Sequence, residues 1–412
     1  MQASPPSLRA PCPTGYRRRE PERGALYRVL SGHLATFRAR LDADETRAGL
    51  PRHVQRELSS YLRCGILAHG FARVRCDDCG KDALAFSCKG RGFCPSCGGR
   101  RMAQSAAHLV DHVLPEVPVR QWVLSMPWRL RYLLASDPAL CRAVRRSFLR
   151  AIFTSYRSRA KRDGLDELTG LAETSGSSGT FEPHRIRCGA VNVVQRFGSA
   201  LNLNVHFHAL VLDGVYTAAT PWAHPVFHPA PDLEDEDVVD AVHAMRVNIV
   251  RLLRRRGLWP EPGQEDPCAE RGPGSLLPFL TAASIQGRVA LGPDAGRPLE
   301  RLRQPPTDAP RFEPGSLCAT LDGFSLHARV LVDAHERERL EHLCRYVMRP
   351  ALAADRLGGH LKTGQLRSVQ NRPVAGAARD ERSCTPLVVV PQVHTALSSP
   401  ATWSALEDVG VV

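Results

Sequence analysis

The chain has 412 residues, 43% of them hydrophobic and 24% charged, the make-up of an ordinary globular protein with room for two or three domains. No window approaches the ~18 apolar residues of a membrane span, which sets aside a membrane-embedded protein. Lys and Arg outnumber Asp and Glu by 55 to 42, a net charge of +13 that favours a polyanionic partner, nucleic acid before any other.

Residues 1–24 are Pro- and Arg-rich and read as a poorly ordered arm with no apolar core for a signal peptide, so a cytoplasmic protein is expected. From about 25 to 63, "LYRVLSGHLATFRARL" and "LPRHVQRELSSYL" space their apolar residues by three and four, which predicts two helices. Residues 76–99 are too rich in Cys and Gly to be helical, and 101–114 look helical again. "VRQWVLSMP" (119–127) reads as a strand. The helix expected over 139–162 carries Leu140, Val144, Phe148 and Ile152 on one stripe and Arg142, Arg146, Arg150 and Arg157 on another. With no carboxylate until Asp163, that second stripe reads equally as a solvated face or as a phosphate-contacting one.

"ETSGSSGT" (173–180) has the composition of a flexible linker. Two strands, 188–197 and 202–213, then form an expected hairpin. Residues 231–256 predict a helix that is acidic first and basic last, while 259–315 is Pro/Gly-rich with little regular structure. A strand pair over 318–334 turns at Asp322-Gly323, and a helix over 335–348 is stopped by Pro350.

Thirteen cysteines is an odd number, and six of them fall between Cys64 and Cys97, a clustering that suggests metal thiolates rather than disulfides. Cys76 and Cys79 form one CxxC, Cys94 and Cys97 another, with fourteen residues between the pairs. Two such knuckles frame a tetrahedral zinc site, structural because four thiolates close the coordination sphere. Cys64, Cys88 and His69 lie close enough in sequence to replace one of the four. Arg100 and Arg101 follow the last knuckle, where they could meet phosphates or simply face solvent.

In "NLNVHFHALVLDG" (202–214), strand alternation puts Leu203, Val205, Phe207, Ala209 and Val211 on one face and Asn202, Asn204, His206 and His208 on the other. The first face reads as core, the second as a polar surface presenting two imidazoles side by side. Two such histidines, with an amide or carboxylate oxygen, suit Mg2+ or Mn2+ engaged with a phosphate. On the 335–348 helix, Leu340, Leu343, Cys344 and Val347 form the apolar stripe, and Tyr346 lies about 110° away from it. His335, Arg339 and His342 share the tyrosine's flank. An exposed tyrosine and a nucleophile for a phosphodiester both fit that position.

"QRFGSALNLNVHFHALVLDGV", "CGILAHGFARVRCDDCG", "FSCKGRGFCPSCGGRRM", "VRQWVLSMPWRLRYLLA" and "LCRYVMRP" together resemble insertion-sequence-91-type rolling-circle transposases of the HUH superfamily, over roughly residues 25–357. The resemblance implies that His206 and His208 bind a divalent ion, with Gln195 as third ligand, and that Tyr346 cuts single-stranded DNA. His342 stands one turn earlier, where other members carry a second tyrosine, so the chain resembles the single-tyrosine type. After about residue 357 the family's aromatic-rich pattern is missing, and 358–412 reads as a shifted frame or a divergent end.

The expected fold is α+β: a disordered arm (1–24), a helical and zinc-ribbon DNA-binding module (25–115), an HUH-type antiparallel sheet with the histidine strand central and helices covering one face (116–357), and the divergent tail (358–412). The implied protein is a bacterial, nucleoid-associated transposase. It would hold structural Zn2+ and catalytic Mg2+ or Mn2+, and would nick and rejoin single-stranded DNA at element ends and target through a 5′-phosphotyrosine link. A plasmid replication initiator or relaxase with the same chemistry, and a non-catalytic DNA-binding remnant, are the alternatives.

Overall fold

The computed structural model describes residues 20–43, 49–75, 80, 82–85, 88, 93–165, 186–198, 203–218, 223–258, 310–353, 357–360, 365–368, 386–387 and 410–411. Two compact units divide the chain: Met1–Asp44, Ala48–Gly98 and Leu352–Val389 in one, Glu45–Arg47, Gly99–Ala351 and Val390–Val412 in the other. Of the arm expected over 1–24, residues 1–19 lie outside the described residues and Pro21–Arg23 form a 3-10 turn; the linker over 173–180 lies outside them, as does the Pro/Gly-rich 259–315 up to 309, beyond which Arg311–Phe312 form a short strand.

In the first unit, the three- and four-residue apolar spacing folds as expected into α1 (Ala25–Asp42) and α2 (Arg52–Arg63), which bury Leu26, Val29 and Leu30, and Val54, Leu58 and Tyr61. A short antiparallel pair follows, β1 (Ala72–Arg75) with β2 (Asp82–Ala85). Helix α3 (Pro95–His108), which runs on into the second unit from Gly99, starts earlier than the Cys/Gly content suggests, taking in Cys97, Gly98 and Gly99. Proline is well suited to a first helical position because its missing N–H would find no intrahelical partner there, and Gly98 N–H closes the first turn on Cys94 O at 2.8 Å. The helix then widens into a π-helical turn at Leu109–Val113, which the sequence does not announce.

The second unit is built on a seven-stranded sheet in which every pairing is antiparallel. Its strands are β3 (Val119–Ser125), β4 (Ala190–Phe197), β5 (Leu203–Leu212), β8 (Arg311–Phe312), β9 (Cys318–Leu321), β10 (Phe324–Val332) and Gly410–Val411, in the order Gly410–Val411, β4, β5, β3, β10, β9, β8. A separate pair, β6 (Gly214–Thr217) and β7 (Val226–Pro229), extends from the end of β5. The β9–β10 hairpin turns where expected, with Asp322 and Gly323 both at positive φ (49° and 80°), the two-residue turn that asparagine, aspartate and glycine favour.

Both faces of the sheet are covered, not one. Helices α4 (Trp128–Ser136), α5 (Pro138–Arg162) and α6 (Asp235–Arg255) pack on the face carrying Trp122, Leu124, Val205, Phe207 and Ala209. The predicted stripe of α5 is fully buried there: Leu140, Val144, Phe148 and Ile152. On the other face Val119, Val191, Val193, Leu210 and Leu212 meet Leu109 and Val110 of the π turn and Leu340, Cys344 and Val347 of α7 (Arg337–Val347). The reason is readable along β5 itself, because the face that starts with Asn204, His206 and His208 continues as Leu210 and Leu212 and needs a cover of its own.

One ion pair fastens the first face. Arg120 reaches Asp213 through two parallel hydrogen bonds of 2.9 Å each and donates to Ala328 O at 3.2 Å, while Tyr156 donates to Asp213 at 2.6 Å. A charge pair buried this deeply is tolerated because its donors and acceptors find partners from β3, the end of β5, β10 and α5. On the second face Arg337 donates to the carbonyls of Val110, Leu114 and Pro115, so α7 is tied at its start to the π turn.

Candidate functional site

Antiparallel pairing resolves the face of Gln195. It stands directly opposite His206 on the β4–β5 ladder, and Ser125 of β3 stands opposite His206 on the other side, so all three share a face. His208 is flanked in the same way by Val193 and Val123, and Val123 by His327 of β10. That face is no polar surface. His206 is 8% exposed, His208 2% and Gln195 3%.

The imidazoles lie 4.9 Å apart between ring centroids. His206 Nδ1 contacts Asn204 O at 2.8 Å; a carbonyl only accepts, so Nδ1 carries the proton and Nε2 keeps its lone pair. His208 Nδ1 is 3.0 Å from Gln121 Nε2, an amide nitrogen that only donates, so in this placement Nδ1 accepts and the ring proton sits on Nε2; turned over, the carboxamide presents its oxygen instead. With the Gln121 oxygen there, Nδ1–H donates and the His208 Nε2 lone pair is free. Burial is the main cause that lowers the pKa of both rings, joined at His208 by His206 and Arg349, and His208 falls to about 3. Both imidazoles are therefore neutral near pH 7, the form that binds metal ions.

Three buried acceptors or ring nitrogens on this face have no hydrogen-bond partner among the described residues: His208 Nε2, Gln195 Oε1 and Asn204 Oδ1. Unpaired buried polar atoms are costly and occur elsewhere too, Asn192 Oδ1 and Arg159 Nε and Nη2 among them, but these three share the face of the two histidines, where a bound ion would satisfy them. Two imidazoles and an amide oxygen, all uncharged, are a donor set that fits a divalent cation still engaged with phosphate.

Tyr346 sits at the last turn of α7, 48% exposed, with its ring edge-on to His208 at 6.0 Å. A cavity of about 510 Å³ joins it to His206, His208, Gln121, Asn204 and His327. Arg349 lies beside the tyrosine, its guanidinium 4.8 Å from the ring centroid, while Arg339, on the tyrosine's flank of the helix, is paired with Glu336 at 2.7 Å. Neither Arg349 nor His327 stands out in the sequence. Burial lowers the pKa of His327, which is half-buried on the cavity wall.

Among the predicted DNA-contacting residues, Arg142, Arg146 and Arg150 are exposed along α5, on the far side of the sheet from the histidines. None of the three has a carboxylate partner among the described residues. Arg100 is exposed and Arg101 half-buried on α3.

The structure gathers four thiols, Cys64, Cys88, Cys94 and Cys97, all within 4.8 Å of one another. Cys64 Sγ lies 3.5 Å from Cys97 and 3.7 Å from Cys94, and Cys88 Sγ 3.6 Å from Cys97. A tetrahedron with Zn–S bonds of about 2.3 Å has edges of roughly 3.8 Å, so the spacing fits zinc. Cys64 ends α2 and precedes Gly65 at φ 86°, a turn that aims the thiol back toward Cys94 and Cys97. Hydrogen bonds from Cys88 and Cys94 lower the Cys64 pKa to about 6, while the bond to Cys64 raises the other two, an uneven ionisation that a bound cation would relieve. Of the four ligands expected from spacing, Cys94 and Cys97 belong to this cluster, and Cys76 and Cys79 lie outside the described residues.

Residues 30–126 match the family model described as "Transposase zinc-binding domain", and residues 189–373 match the one described as "Putative transposase". The second match runs past residue 357, where the sequence alone suggests that the resemblance stops. No curated protein and no solved structure matches the chain. No helix among the described residues is long and apolar enough to cross a membrane.

Proposed function

We propose that this chain, whose two matches to transposase family models support an insertion-sequence-91-like transposase, nicks and rejoins single-stranded DNA by rolling-circle chemistry on an HUH-type sheet. The carrying observation is the edge-on approach of Tyr346 to His208 over one cavity. Tyr346 Oη attacks a backbone phosphorus, the P–O3′ bond breaks, and a 5′-phosphotyrosine link and a free 3′-hydroxyl result. The phenol gives up a proton and the departing oxygen takes one on, so the step is proton-neutral; His327, a neutral imidazole on the cavity wall, is available to carry it. Arg349 beside the ring offsets the negative charge of the incoming phosphate.

His206, His208 and Gln195 would hold Mg2+ or Mn2+, which supplies polarisation of the scissile phosphate when bound. Cys64, Cys88, Cys94 and Cys97 would hold a structural zinc ion. The partners are single-stranded DNA at element ends and at the target. Wild-type protein incubated with single-stranded oligonucleotides and Mg2+ or Mn2+ is expected to give a covalent adduct on a denaturing gel, and Tyr346→Phe none. An adduct from Tyr346→Phe would refute this assignment.

A further inference from the structure

Gln195 does two things at once. Its Nε2 donates to Val347 O at 2.6 Å and to Tyr346 O at 3.3 Å, carbonyls of the last turn of α7. Carbonyls at a helix end have no intrahelical partner and take such a donor readily. They also fix the amide, because the reverse orientation would set its oxygen against two carbonyl oxygens. Oε1 is therefore turned away from α7, buried and without a partner, on the face that holds His206 and His208.

We propose that Gln195 couples the ion to the nucleophile: Oε1 ligates the divalent ion held by His206 and His208, while Nε2 pins the turn that carries Tyr346. Ion binding and placement of the tyrosine are then one event. An ordinary third ligand would leave α7 indifferent to the metal, and an ordinary helix clamp would leave the metal indifferent to residue 195. Arg337 holds the start of α7 on the π turn and Gln195 holds its end, so the tether at the tyrosine's own turn is the one that also faces the ion. The inference rests on the reading of Tyr346 as nucleophile, and it adds a regulated position to it.

The test uses the full-length protein without DNA, with Mn2+ as the probe. In wild type, Mn2+ is expected to slow amide hydrogen exchange across 344–349; unchanged exchange there would overturn the coupling without any substitution. Gln195→Glu keeps an oxygen for the ion but sets a second oxygen against the α7 carbonyls. Its Mn2+ affinity, read by calorimetry, should be kept or increased, while protection of 344–349 disappears and adduct formation falls about 100-fold. Gln195→Leu should lose at least the roughly 10- to 100-fold in Mn2+ affinity that follows loss of a group merely supporting a ligand. If Gln195→Glu binds Mn2+, protects α7 and forms adducts as wild type does, the proposal fails. Wild-type protein that forms no adduct refutes the nucleophile reading instead, and the exchange experiment still decides the coupling.

Discussion

Both faces of the central sheet are covered, but they are differently finished. On the face under α5, Arg120, Asp213 and Tyr156 satisfy one another and Phe148 stacks on Phe207, while Arg159 Nε and Nη2 and Asn192 Oδ1 stay without a hydrogen-bond partner among the described residues. On the face under α7, His208 Nε2 and Gln195 Oε1 lack partners among the described residues, and a cavity opens to a half-exposed tyrosine. The same strands make both faces: in β3, Arg120 serves one and Gln121 the other. Polar groups that close on each other give stability, whereas polar groups left open on a rigid strand give a site.

The largest expected effect falls on the closed face. Arg120→Ala leaves the Asp213 carboxylate buried without its cation, which costs about 3–5 kcal/mol in urea unfolding. His208→Ala should cost clearly less and abolish the DNA adduct. Equal destabilisation by the two would erase the distinction between the faces.

Next comes the thiol cluster, which separates two kinds of metal site. Cys64→Ser or Cys88→Ser should lose the zinc found by elemental analysis while leaving Mn2+ binding at the histidines intact. Zinc retained by both variants, but lost on Cys76→Ser or Cys79→Ser, would restore the assignment drawn from CxxC spacing.

A smaller effect concerns pH. The His208 pKa is depressed to about 3 in the folded protein, below the ordinary ~6.5 of the unfolded chain. Between those values the unfolded chain binds the extra proton, so stability is fully present above ~6.5 and is lost as pH falls toward 3. Unfolding followed in chelator should show that decline, and His208→Gln should flatten it. An unchanged profile would mean that the ring is not held neutral by burial.

The smallest effect belongs to the outer surface of α5. Replacing Arg142, Arg146 and Arg150 by Ala should lower the salt dependence of single-stranded DNA affinity by about two units of slope. Adduct formation at saturating DNA should not change, because the stripe and the tyrosine lie on opposite sides of the sheet. An identical slope would make the stripe a solvated face.

Local patterns were legible: the β4–β5 hairpin, the Asp322-Gly323 turn, the buried stripe of α5 and the alternation that puts His206 and His208 side by side. What escaped depends on distant partners. His327 joins the cavity through the β10–β3 pairing, across two hundred residues of chain, and no spacing rule reaches that far. Arg349 follows the helix end, outside any periodic pattern. Helix α4 is too short and too mixed in polarity to declare itself. Cys64 and Cys88 lack a CxxC partner, so spacing favours other thiols although the turn at Gly65 brings Cys64 in. The burial of the histidine face was present in Leu210 and Leu212, but an alternation argument that stops at His208 reads a surface.

The central claim is that the open face does covalent chemistry through one side chain. Protease digestion of the protein–oligonucleotide adduct formed with Mn2+, followed by mass spectrometry of the nucleotide-bearing peptide, tests it directly. The account predicts the modification on Tyr346, within the peptide that ends α7. A nucleotide on Tyr216, whose ring packs against Phe227 on the β6–β7 pair, or on any other tyrosine, would contradict it.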